Sequence, residues 1–193
     1  MNLLRKPAQI LLFVVAVTQL TACSKTVEWK EEVKLNDGRV IVVTQKKRCE
    51  GGDYTAKTGA TCIARESWLT INLPEFSDKE IVWHESLDPM VVNIHQGRLY
   101  VVGFPPHTVE FRAYGATNPP YFGFIWDNGA WKRIAFSEIP EALYDTNMLI
   151  ESVPGTKTDL LTLARKNSPE ENGAMTKPAQ LHRIDPKFTI SAY

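Results

Sequence analysis

The chain has 193 residues, of which 22 are basic and 22 acidic, so it is formally neutral at pH 7. This balance supplies no basic footprint for nucleic acid and no electrostatic pull toward anionic lipid. With 44 % apolar and 23 % charged residues, it has the composition of a globular protein long enough to bury one core.

The N-terminus is read first. Arg5 and Lys6 make a short positive flank, and Ile10 to Leu20 is an apolar run broken only by Thr18 and Gln19. That order is a secretory signal, and the run is too short to span a bilayer. No later apolar run is long enough to do so. Leu20-Thr21-Ala22-Cys23 resembles a bacterial lipobox, because small residues lead into a cysteine and Leu20 fills the −3 position. The resemblance implies a diacylglyceryl group on the Cys23 sulfur, cleavage before Cys23, and N-acylation of the new terminus. A single acyl chain holds a protein only marginally, at ~0.8 kcal/mol per buried CH₂, whereas three chains on one residue hold it durably. By the same resemblance, Ser24 rather than Asp after the cysteine implies the outer membrane, with the domain facing the periplasm. Cleavage removes Arg5 and Lys6 and no acid, which leaves 20 basic against 22 acidic residues, a charge of −2. The expected organisation is a signal over 1–22, a lipidated tether over 23–26 and a single β-rich domain over 27–193.

Period-two alternation begins at Val27. Val27, Trp29, Val33 and Leu35 share one face, and Glu28, Lys30, Glu32 and Lys34 share the other. Asp37-Gly38 predicts a two-residue hairpin turn and a return strand over 39–44, pairing Leu35 with Val40 and Val33 with Val42. Cys49 and Cys62 enclose a loop rich in Gly, Thr and Lys. In an oxidising compartment this even pair predicts a disulfide, worth about 3 kcal/mol in the chain-entropy model. The alternatives are two free thiols or a metal pair lacking other ligands. Trp68–Leu73 and Ile81–His84 read as strands. A second hairpin runs from Val91 to Val102 about Gln96-Gly97. Thr108–Tyr114 alternates again, with Val109, Phe111 and Ala113 inward. A third hairpin runs from Tyr121 to Phe136 about Asn128-Gly129 and sets Trp126 opposite Trp131. The turn glycines are unevenly spaced, so no repeat emerges. Ser137–Tyr144 predicts a short helix with Pro140 in its first turn. A second helix is predicted from a capping box at Thr156–Asp159 through Leu160, Leu161 and Ala164 to Asn167. The stretch 168–177 is polar, and 181–190 predicts a last strand or a docked tail. The fold class is therefore mainly β: an irregular antiparallel meander of hairpins with one or two short C-terminal helices.

Few residues stand out for chemistry. Gly51, Ala56, Lys57 and Thr58 nearly spell a phosphate-binding loop, but Ala56 replaces the second glycine and no apolar helix follows. His84, His95, His107 and His182 lack metal-ligand spacing, so no metal or cofactor is expected. No nucleophile motif occurs, and no catalytic residue is expected. Glu31 is the one acid on an otherwise apolar strand face; opposite Thr44 in the expected register, it reads as a rim residue reaching solvent. Tyr114, Tyr121 and Trp131 are the candidate binding surface, since an exposed aromatic platform suits a protein or a glycan.

Trp29-Lys30-Glu31-Glu32-Val33, Asp37-Gly38-Arg39, Asn118-Pro119-Pro120-Tyr121 and Trp131-Lys132-Arg133-Ile134 together resemble a group of proteobacterial lipoproteins without a defined activity. These are hairpin and turn motifs, so the resemblance implies nothing functional beyond the lipid anchor. The expected function is a lipid-anchored envelope module, non-enzymatic, that binds an envelope protein or a cell-wall glycan. The alternatives are a small periplasmic hydrolase using carboxylates from separate strands, and a passive structural lipoprotein.

Overall fold

The computed structural model describes residues 24–50, 63–149, 160–166 and 182–191. β1 (Ser24–Lys34), β2 (Val40–Glu50), β3 (Ile63–Ile71), β4 (Ile81–Glu85) and a two-residue β9 (Leu160–Leu161) form one sheet, in the order β4-β3-β2-β1-β9. β5 (Asp88–His95), β6 (Arg98–Phe104), β7 (Phe122–Asp127) and β8 (Ala130–Ile134) form a second, in the order β5-β6-β7-β8. Neighbouring strands are antiparallel except β9, which runs parallel to β1. The short helices are α1 (Thr108–Ala113) and α2 (Leu163–Lys166). The fold is mainly β, as the alternation predicts.

The two sheets pack face to face. Val33, Val43, Leu69, Ile71, Ile81 and Trp83 of the first meet Val92, Leu99, Val101, Phe122 and Phe124 of the second. The far face of the second sheet carries Val91, Tyr100 and Val102. It is covered by Ile139, Leu143 and Tyr144 and by Ile184 of the C-terminal segment. That segment is a docked tail, with Phe188 and Ile190 packed on the same cluster.

The second and third hairpins have the expected two-residue turns, at Gln96-Gly97 and Asn128-Gly129, and Trp126 lies opposite Trp131. The first hairpin differs by one residue. Val33 faces Ile41 and Lys34 faces Val40, with the Leu35 N–H donating to Arg39 O at 2.8 Å. The loop is thus Asn36-Asp37-Gly38, three residues with glycine at φ +89°, a turn followed by a bulge at a left-handed residue. A one-residue slip exchanges the faces of a strand. Ile41 and Val43 therefore point inward, and Val40 and Val42 stand about half exposed outside.

Other expectations are also corrected. Ser24–Thr26 is no tether, because it pairs with Arg48–Glu50 as the first part of β1. Thr108–Ala113 is helix, not strand: the buried residues are the neighbours Glu110 and Phe111, and Val109 is 57 % exposed. Six residues hold too few positions to separate a period of 2 from one of 3.6. The helix is built by Phe111 N–H donating to His107 O and Tyr114 N–H to Glu110 O. In place of a helix over 137–144 stand two 3-10 turns, Phe136–Glu138 and Glu141–Leu143. Pro140 forces Ile139 into extended backbone and so divides them. Leu160-Leu161 is strand, and α2 starts only at Leu163, whose N–H donates to the Glu32 carboxylate at 2.8 Å. The cap comes from β1 rather than from the local box, which lies outside the described residues.

Candidate functional site

The two sheets place polar groups where the alternation alone would put core. Along the inner face of the first sheet, Val33 and Leu35 lie toward the hairpin turn. Glu31 follows on the same face and is fully buried, which corrects its reading as a rim residue. In the observed register its cross-strand neighbour is Val43 rather than Thr44, and residues from distant segments close over it. Gln45 Nε2 donates to it at 2.9 Å, the Leu149 N–H reaches both oxygens at 3.3–3.4 Å, and Lys166 Nζ stands 3.7 Å away. Burial pushes the Glu31 carboxyl above its ordinary range, while the Lys166 charge and the donors from Gln45 and Leu149 pull it back.

Beyond Glu31 the face becomes ionic. Lys47 pairs with Asp88 at 2.7 Å, with both side chains at most 2 % exposed. The approach is off-line, so Asp88 Oδ1 gains the lysine's charge without a well-directed hydrogen bond. Lys47 Nζ also lies 5.6 Å from the Trp29 ring centroid. Ser67, opposite Lys47 on β3, keeps a buried hydroxyl with no hydrogen-bond partner.

At the Ser24 end of this sheet, ions of both signs alternate. Arg48 bridges Glu66 at 2.7 Å and Glu50 at 2.9 Å; Arg65 bridges Glu50 at 3.1 Å and Glu110 of α1 at 2.6 Å. A bulge in the β2–β3 ladder leaves Arg65 unpaired in the register, which aims its side chain at α1. Hydrogen bonds from Arg48 and Arg65 hold Glu50 below the usual carboxylate range, and Arg48 does the same for Glu66. Acids from separate strands do converge here, but through arginines that favour the charged form. A general acid needs the opposite shift. The carboxyl that has that shift, Glu31, is sealed beneath Leu149 and Gln45.

Tyr114, Tyr121 and Trp131 do not form one exposed platform. Tyr121 is buried at 2 % exposure in the cluster on the far side of the second sheet. Tyr114 is half-buried: its hydroxyl donates to Glu85 and accepts from the Ser86 N–H, and burial and the Glu85 bond push its pKa up. Trp131 donates its indole N–H to Val82 O at 3.0 Å and packs edge-on against Trp126. Large aromatics on paired strands have filled the core, as their buried area favours. His84 stacks on Trp68 at 4.5 Å, and no three His, Cys, Asp or Glu residues among the described ones are grouped for a metal. Cys49 is fully buried and held in a disulfide. Cys23, Cys62 and the near phosphate loop lie outside the described residues.

Among the described residues, two recesses border β8 and share Ile134 in their walls. A groove of ≈ 570 Å³ lies at the turn end, between the 74–76 loop and the Gln96-Gly97 and Asn128-Gly129 turns. Phe76, Ile125 and Trp126 supply its apolar wall, and Glu75, Arg98 and Lys132 its charges. A second pocket of ≈ 440 Å³ lies among Pro119, Phe122, Arg133, Ile134 and Phe136. Sequence reasoning missed both, because each is assembled from loops and strand ends far apart in the chain. Their local signal was limited to turn residues beside aromatic strands. The chain matches no family model, no curated protein and no solved structure.

Proposed function

We propose that this protein is a lipid-anchored envelope module that binds a partner at the end of the sandwich facing away from its anchor. It is a non-enzymatic accessory protein of the outer membrane, held by acyl chains on Cys23 and facing the periplasm. One observation carries the reading. β1 starts at Ser24, directly after the lipobox cysteine, and the groove lies where this sheet and its neighbour make their turns. Eleven residues of strand cover ~34 Å. With no tether in between, a lipid on Cys23 sets the Ser24 end of the sheet at the bilayer and holds the groove out into the periplasm. A groove with an aromatic wall and charges of both signs at its rim suits a protein segment or a cell-wall glycan.

The test places a photo-crosslinking residue at Arg98 or Lys132 in the groove and, as a control, at Thr44 on the outer sheet face. Cells carrying the lipidated protein are then irradiated. A discrete adduct is expected from the groove positions and lost when Trp126 is changed to Ala. Equal labelling from Thr44 would overturn the groove reading. Normal processing of Cys23→Ala, in place of an uncleaved precursor, would overturn the anchor.

A further inference from the structure

Arg133 differs from the ion-paired arginines of this protein. Arg39, Arg48, Arg65 and Arg183 each hold a carboxylate: Asp37 and Glu75, Glu50 and Glu66, Glu50 and Glu110, and Asp145. Arg133 has no carboxylate within ion-pair distance among the described residues. Its guanidinium lies 4.7 Å from the Phe122 ring centroid and 5.4 Å from that of Tyr114, and one NH₂ donates to Tyr114 O at 3.1 Å. Two rings and a carbonyl therefore fix the plane of the fork, while most of its five N–H donors stay uncommitted. The same residue lines the ≈ 440 Å³ pocket, whose other walls include Pro119, Ile134 and Phe136. That volume falls in the range of small-molecule sites.

We infer that the pocket beside Arg133 binds a carboxylate carried next to an apolar group, the chemistry of a small amphipathic acid or of a peptide's C-terminal residue. A pre-oriented guanidinium matches a planar carboxylate through two parallel N–H···O bonds, and stacking on rings keeps the fork in place before the ligand arrives. The apolar walls take the adjoining group. A ligand without the negative charge would leave the donors unanswered, so the acid is preferred over its amide. The pocket shares Ile134 with the groove, but Arg133 and Phe122 line the pocket and not the groove, so either reading can fail alone.

The experiment titrates the lipidated mature protein, in nonionic detergent, with N-acetylphenylalanine and with its primary amide, followed by NMR shifts. The acid is expected to bind at least tenfold more tightly than the amide. Arg133→Gln should abolish that preference, and Phe136→Ala should weaken acid and amide together. If Arg133→Gln lowers the melting temperature, Arg133→Lys serves instead, since it keeps the charge but loses the fork, and most of the preference should go. An Ala-Ala-Ala-Phe peptide with a free terminus separates the two sources: binding tighter than the single residue identifies a peptide end, and weaker binding a small acid. Equal affinity for acid and amide, an unchanged preference in both Arg133 variants, or no shift at about 10 mM acid, tenfold above a millimolar Kd, would overturn the inference.

Discussion

The two ends of the five-stranded sheet solve the same problem in different ways. At the turn end, the inner face is apolar, and Val33, Val43, Leu69 and Ile71 pack directly on the second sheet. Toward the Ser24 end, the same strands carry Gln45, Lys47 and Ser67 inward, with Asp88 of β5 set against Lys47. The first arrangement gains from removing apolar area from water, roughly 25 cal/mol per Å². The second must offset the desolvation of two charges by their mutual attraction, and the balance is close. Glu31 stands at the boundary, an acid with apolar neighbours on one side and polar ones on the other. The lesson is that burial on one continuous strand face does not imply one source of stability.

Removing one partner of the buried pair should separate the two ends most clearly. Lys47→Met leaves Asp88 buried without its cation and should destabilise by about 3–5 kcal/mol in urea unfolding. Adding Asp88→Leu should restore most of that stability, because well-packed apolar residues often replace a buried pair at no net cost. If the double variant stays as unstable as the single one, the pair is not the cause.

The turn end is probed through its backbone. Gly129 sits at φ +81°, where a β-branched side chain is strained, so Gly129→Val should cost about 1–3 kcal/mol. The loss should appear in unfolding midpoints without disturbing the charged end. An unchanged midpoint would contradict the third turn.

The smallest effect is a slope. Burial holds the Glu31 pKa above the ordinary glutamate value of 4.5, so the folded state keeps that proton longer than the unfolded chain does. Its contribution is fully present below pH 4.5 and is lost as pH rises through the folded pKa. Glu50 and Glu66, held low by Arg48 and Arg65, act in the opposite sense: their stabilisation is present above pH 4.5 and fades as pH falls. Glu31→Gln should therefore flatten the decline on the alkaline side of pH 4.5 and leave the acid limb intact. Unfolding midpoints measured from pH 3 to 8 (about one and a half units below to a few above the ordinary carboxyl pKa) would show it, and an unaltered slope would place the titration elsewhere.

Much of the β framework was legible, because alternation and turn glycines are local signals. The second and third hairpins follow directly from them. The first hairpin was misread by one residue, since Asp37-Gly38 suits both a two-residue turn and a three-residue turn with glycine at its bulge. The observed pairing of Val33 with Ile41 selects the three-residue turn. The segment 108–113 was too short to state its own period, and Phe111 needed a core to pack on before helix won. Glu31 was conspicuous as an acid among apolar residues, but the groups that bury it lie far along the chain, Leu149 being 118 residues away. The two recesses were less legible still, for Arg133 becomes distinctive only once Tyr114 and Phe122 lie beneath it.

By itself the sequence determined which stretches alternate, where most turns fall and that the fold is mainly β, because those properties depend on neighbours within a few residues. Tertiary contacts fixed which polar side chains lose water, which arginine lies against two aromatic rings and where the surface recedes. Those depend on what distant segments bring to within a few ångströms. Desolvation and ion pairing act through space, and no spacing along one chain records them.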